Sequence, residues 1–163
     1  MYPNVETGGD IFGQWLPSGE CAIRHVIGPG ADAQRSSVTF NQSLAYLKAA
    51  SEVLGTKQAF HIGDWHSHHR LFDYPSGGDS RTCAIAMKNN NKAFFVLVIA
   101  NIRDDVATNL PYVQISAFRY AADAKDPREF VLAAVEFIDK APDYSAVHAE
   151  LENVRAGGVL SLT

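Results

Sequence analysis

The segment 92–102, Lys-Ala-Phe-Phe-Val-Leu-Val-Ile-Ala-Asn-Ile, constrains the fold most. It is almost continuously apolar, rich in β-branched and aromatic side chains, and shows no polar alternation. A strand of this kind has to be covered on both sides, so it predicts the centre of a sheet with other layers packed against it. Its apolar stretch, 93–100, is too short to span a bilayer. The chain has 163 residues, 47% of them hydrophobic, enough for one domain spanning 1–163 with a sizeable core.

The remaining segments predict what surrounds that strand. Residues 11–16 and 21–27 flank Pro17-Ser18-Gly19-Glu20 and read as a hairpin. Residues 28–37 read as a loop and 38–41 as a short strand. Residues 43–54 place Leu44, Leu47 and Leu54 near one helical face, with Gly55 where a helix would stop. A strand over 58–66 follows, then a short helix over 80–88, started by Asp79 or Ser80 and ended by Asn89-Asn90-Asn91. Residues 112–120 alternate as a strand. Helical and extended readings compete over 130–139, where the alternation of 135–139 favours strand. Residues 144–155 predict a C-terminal helix ended by Gly157-Gly158. Strands outnumber helices and are mixed with them. The expected class is therefore α/β or α+β, with a single central mixed sheet flanked by helices.

Composition excludes several functions. The net charge of −4 is dispersed without a basic stripe, which argues against nucleic acid as a partner. Cys21 and Cys83 form neither a Cys-x-x-Cys pair nor a disulfide framework, as suits a reducing cytoplasm. Residues 1–10 lack the basic-then-apolar pattern of a secretory signal. A cytoplasmic protein with no membrane partner is expected.

The chemistry concentrates in His66-Ser67-His68 and the following Ser76-Gly77-Gly78-Asp79. In an extended segment, side chains two apart share a face, so both imidazoles look the same way. A loop with two glycines can return Asp79 to them. Three protein ligands with a fourth position left to water describe a catalytic zinc site, whereas structural sites close with four ligands. The bland alternative makes Ser76 and Asp79 turn and helix-cap residues. Strict alternation puts His61 opposite His66, in a packing or supporting role. Trp65 is expected in the core, Cys83 packed under the site, His69 in a substrate-facing loop, and His25 and His148 at the surface. Arg70 and Leu71 break the pattern of a metallo-β-lactamase site, and a deaminase's Pro-Cys-x-x-Cys is absent. The loops 28–37, 69–75 and 103–111 are expected to face a substrate.

Gly63-Asp64-Trp65-His66-Ser67-His68, with Ser76 and Asp79, resembles the signature of the JAB/MPN metalloproteases, the JAMM deubiquitinase-like enzymes. Glu6-Thr7-Gly8-Gly9-Asp10-Ile11-Phe12-Gly13 resembles the segment that carries the upstream glutamate in bacterial members. The resemblance covers about residues 5 to 120. Three features depart from it: His69 stands where Pro is usual, little chain precedes Glu6 where the family has a helix, and no long insertion separates the strands. The resemblance implies a cytidine-deaminase-like sheet and one zinc ion per chain on His66, His68 and Asp79. It implies Glu6 as general acid and base, and Ser76 as a hydrogen-bond donor to the developing oxyanion. The implied activity is that of a peptidase or isopeptidase acting on the C-terminal tail of a ubiquitin-like or sulfur-carrier-like protein. The alternative is a non-catalytic scaffold of the same family, against which the presence of all five positions argues.

Overall fold

The computed structural model describes residues 5–37, 39–68 and 72–136, together with Ala149. The elements run β1 (Gly8–Trp15), β2 (Cys21–Val26), β3 (Gln34–Arg35), β4 (Phe40–Asn41), α1 (Leu44–Thr56), β5 (Phe60–Ser67), α2 (Gly77–Asn89), β6 (Phe94–Asp104), β7 (Pro111–Ala121) and β8 (Phe130–Ala133). Six strands form a mixed sheet in the order β2-β1-β5-β6-β7-β8, and β3 pairs with β4 separately. Only β5 and β6 run parallel among the paired strands; the other pairs are antiparallel. A parallel pair requires a crossover, and α2 supplies it.

The strand over 92–102 does become β6 near the centre of the sheet, with Phe95, Val96, Leu97, Ile99 and Asn101 all buried. Both helices pack on one face. Tyr46, Ala50, Val53 and Leu54 of α1 meet Phe12, Ile27 and Ala59. Cys83 and Met87 of α2 meet Phe95, Leu97, Ile99, Phe118 and Tyr120. The opposite face buries Ile11, Ile62 and Val96 beneath Trp15, Trp65 and Val98. The sheet curls to achieve this. Arg119 of β7 donates to the carbonyl of Gly19 in the β1–β2 turn at 3.0 Å and lies over the Phe94 ring. In a flat sheet the intervening strands would hold β1 and β7 about 14 Å apart.

Several expectations change. Gly55 does not stop α1, which runs to Thr56; the chain turns away at Gln58, whose φ is +57°. Leu44 is 77% exposed, because the face turned to the sheet is 46/50/53/54, the i, i+4, i+7, i+8 stripe of an amphipathic helix. β3 lies within the segment expected to be loop. His25 is buried rather than at the surface, because its register partner is Phe12, a core residue under α1. Residues 137–139, the helix expected over 144–155 apart from Ala149, which is helical, and His69 and His148 lie outside the described residues. No helix among the described residues is long and apolar enough to cross a membrane.

Candidate metal centre

β5 carries both histidines to the end of the sheet, at the point where the chain leaves for α2. Gly63 to Ser67 pair in register with Val96 to Ala100 of β6, and His68 N donates to the Ala100 carbonyl just beyond the ladder. His66 and His68 therefore project toward the same side, and their Nε2 atoms lie 2.8 Å apart. The helix α2 starts at Gly77 because its N-cap is Ser76, not Asp79 or Ser80 as the sequence suggested. Ser76 Oγ accepts from Asp79 N at 3.2 Å, and Asp79 Oδ2 accepts from Ser76 N at 2.6 Å, a reciprocal capping box. The bland reading of this pair is thus correct, and it does not compete with the chemical one. The same cap that starts α2 aims Asp79 at the histidines. Asp79 Oδ1 lies 3.5 Å from His66 Nε2, and Oδ2 lies 3.4 Å from His68 Nε2.

The hydrogen-bond logic of His68 bears on what sits between these atoms. Its Nδ1 lies 3.2 Å from the carbonyl oxygen of Phe72. A carbonyl only accepts, so Nδ1 carries the proton, and a neutral His68 turns the lone pair of Nε2 toward Asp79. A lone pair facing a carboxylate needs a positive species between them. In the metal-free protein this pull favours a proton on His68: burial opposes it, but the bond to Asp79 and the charges of Asp79 and Glu6 outweigh burial and raise the pKa. Burial likewise opposes ionisation of Asp79, yet its bonds to His66, His68 and Ser76 hold the carboxyl well below the usual range.

A zinc ion fits the same donors. Tetrahedral ligands at zinc distances stand about 3.3 Å from one another. The two imidazole nitrogens stand 2.8 Å apart and each has an Asp79 oxygen close to that spacing, Oδ1 at 3.5 Å from His66 and Oδ2 at 3.4 Å from His68, so the imidazoles need to part by about half an ångström and the carboxyl to present one oxygen to both. Two neutral imidazoles and a carboxylate are an ordinary donor set for Zn²⁺.

Glu6 reaches the same neighbourhood from the other end of the chain. Gly8 pairs with His66, and Thr7 and Ser67 exchange two bonds: Thr7 N donates to Ser67 Oγ at 3.0 Å, and Ser67 N donates to the Thr7 carbonyl at 2.7 Å. Continuing this antiparallel register sets Glu6 beside His68, consistent with its charge acting on that ring. Glu6 N is itself tied to the Ser36 carbonyl at 2.8 Å.

A second cluster lies along the same face of the sheet. His61 Nε2 stands 3.3 Å from Asp10 Oδ1 and 3.0 Å from Asp64 Oδ1, and Asp10 pairs with Asp64 across β1 and β5. Strict alternation would have put His61 on the other face. It fails because the register shifts: Ile11 pairs with Gly63 but Phe12 pairs with His61, leaving Ile62 as an extra residue. His61 thereby lies between the Phe12 and Phe95 rings. Trp65 is partly buried as expected, with its Nε1 donating to the Ile27 carbonyl. Cys83 is buried near the site; burial and the charges of Asp64 and Asp79 raise its thiol pKa beyond the physiological range. Sequence reasoning missed Asp10, Asp64 and the Phe72 carbonyl. A bulge and a main-chain acceptor carry no residue-type signal.

No protein-family model matches the chain, and no curated protein matches it. Any assignment of function therefore rests on the residues and their geometry.

Proposed function

We propose that the protein is a zinc-dependent hydrolase of the JAB/MPN type, with the cytidine-deaminase-like sheet of that family. It would act as a peptidase or isopeptidase on the C-terminal tail of a ubiquitin-like or sulfur-carrier-like protein. The observation that carries this reading is the convergence of His66 Nε2, His68 Nε2 and Asp79 at one point, with Glu6 brought toward His68 from the start of the chain by the pairing of β1 with β5. Motif spacing alone supplies the first three; the fourth comes together with them only if the fold is right.

Bound zinc lowers the pKa of a coordinated water toward about 7, making hydroxide available at neutral pH. The chain's own residues supply the rest. Glu6 accepts the proton of the attacking water and returns it to the leaving amine. Ser76, whose oxygen accepts from Asp79 N, offers its hydroxyl proton to the oxyanion. Phe72, whose carbonyl orients His68, is 68% exposed and offers a substrate tail an apolar surface beside the metal.

The test is metal content together with cleavage of fusions to ubiquitin-like tails. Wild-type protein should hold one zinc per chain and cut; His68→Ala should lose both properties; Glu6→Gln should keep zinc and lose cleavage. Zinc-free wild-type protein, or cleavage that survives His68→Ala, would overturn the hydrolase reading. Full zinc occupancy with no turnover of any such fusion would replace it with the scaffold.

A further inference from the structure

Asn101 is completely buried, although it is a polar residue in the strand with the strongest apolar character. Burying an amide is costly unless its hydrogen bonds are made. Here one NH2 group serves two carbonyls. Asn101 Nδ2 donates to the Phe72 carbonyl at 2.8 Å and points to the His68 carbonyl at 3.4 Å. The first is the carbonyl that accepts from His68 Nδ1 at 3.2 Å. The second belongs to the ligand residue itself. Asn101 stands one position past Ala100, which holds His68 N. It therefore grips the chain where β5 has ended and again where the chain comes back at Phe72.

We propose that Asn101 is a positioning residue for the metal centre, holding the Phe72 carbonyl where it fixes the tautomer and ring orientation of His68. This inference rests on the reading of His66, His68 and Asp79 as zinc ligands. The chain of contacts runs Asn101 Nδ2–H to Phe72 O to His68 Nδ1–H, so that Nε2 presents its lone pair to the metal. A ligand histidine commonly gives its second ring nitrogen to a carbonyl or carboxylate, and disturbing such a partner typically weakens metal binding about 10- to 100-fold. Asn101 is not itself a candidate ligand, so it acts through main-chain carbonyls, chiefly that of Phe72 and more weakly that of His68. Its amide is the only part of the side chain that the role requires. Asn101→Asp keeps the shape but turns an acceptor toward two carbonyls, whereas Asn101→Ala removes the group and leaves a small void.

The experiment measures zinc affinity by competition with a chromophoric chelator, and the solvent exchange of the His68 Nδ1 proton by ¹⁵N NMR of its ring. Wild-type, Asn101→Ala and Asn101→Asp are compared, with circular dichroism of each metal-free protein as the check on folding. Both variants should bind zinc about 10- to 100-fold more weakly, and the His68 Nδ1 proton, no longer held by a positioned Phe72 carbonyl, should exchange with solvent faster than in wild-type while the His66 ring is unchanged. Variants that fold and bind zinc as tightly as wild-type, or that keep the wild-type exchange of the His68 Nδ1 proton, overturn the inference. If Asn101→Ala fails to fold, Asn101→Asp decides. Wild-type protein that binds no zinc defeats the metal reading itself, a result distinct from unchanged affinity in the variants.

Discussion

Alkaline pH should destabilise the metal-free protein through one residue, His61, independently of the metal site. Burial opposes its protonation, but the bonds to Asp10 and Asp64 and their charges outweigh that and hold its pKa at about 9. In the unfolded chain it titrates near 6.5. A folded pKa above the unfolded one gives stability that is fully present below about pH 6.5 and is lost as pH rises through about 9. The difference between about 9 and 6.5, at about 1.4 kcal/mol per pH unit, sets a ceiling of about 3–4 kcal/mol. Part of it is offset by the burial of Asp10, which pushes that carboxyl's own pKa up. Urea unfolding of chelator-stripped wild-type and His61→Gln proteins, at about pH 6.5, 8 and 10, measures it. Lys92, which donates to the His61 carbonyl and whose pKa burial lowers, is common to both proteins, so the difference between them isolates His61. Wild-type should lose about 2–3 kcal/mol more than the variant over that range. Parallel pH profiles would refute the claim that His61 is an imidazolium clasped between two carboxylates. The consequence reaches the metal site, because this triad ties β1 to β5, the strands that bring Glu6 to the histidines.

Three further outcomes are expected. Ser76→Ala removes the N-cap of α2 and should cost about 0.5–2 kcal/mol in chemical unfolding while zinc content stays near wild-type; Asp79→Asn can still cap through its amide oxygen, yet should lose most of the zinc. Gly63→Ala would drive a methyl group into the Val96 carbonyl across the β5–β6 ladder, so it should unfold at markedly lower temperature and lose zinc in the same step; a wild-type melting curve would show that these strands do not approach so closely. Leu54→Ala opens a cavity between α1 and Phe12 and should cost about 2–5 kcal/mol by denaturant titration, leaving zinc affinity unchanged in the protein that remains folded.

Much of the metal centre was legible because it is local. His66 and His68 share a face by the two-residue period of a strand, and Ser76 and Asp79 meet through one turn of helix. The apolar run in β6 likewise announced a central strand. Expectations failed where packing of a whole element decides. Leu44 looked like core by spacing alone, but the sheet took the face that holds Tyr46 and Leu54.

The sequence by itself determined which side chains could ligate a metal, the strand that aims the two histidines, and the mixed α and β character of the chain, because each depends on the periodicity of neighbouring residues. Tertiary structure alone decided that Glu6 stands beside His68, that the extra residue at Ile62 turns His61 toward Asp10 and Asp64, that His25 is buried, and that Asn101 grips Phe72. Those contacts join segments distant along the chain. Their register is set by the pairing of the entire sheet, which no local period encodes.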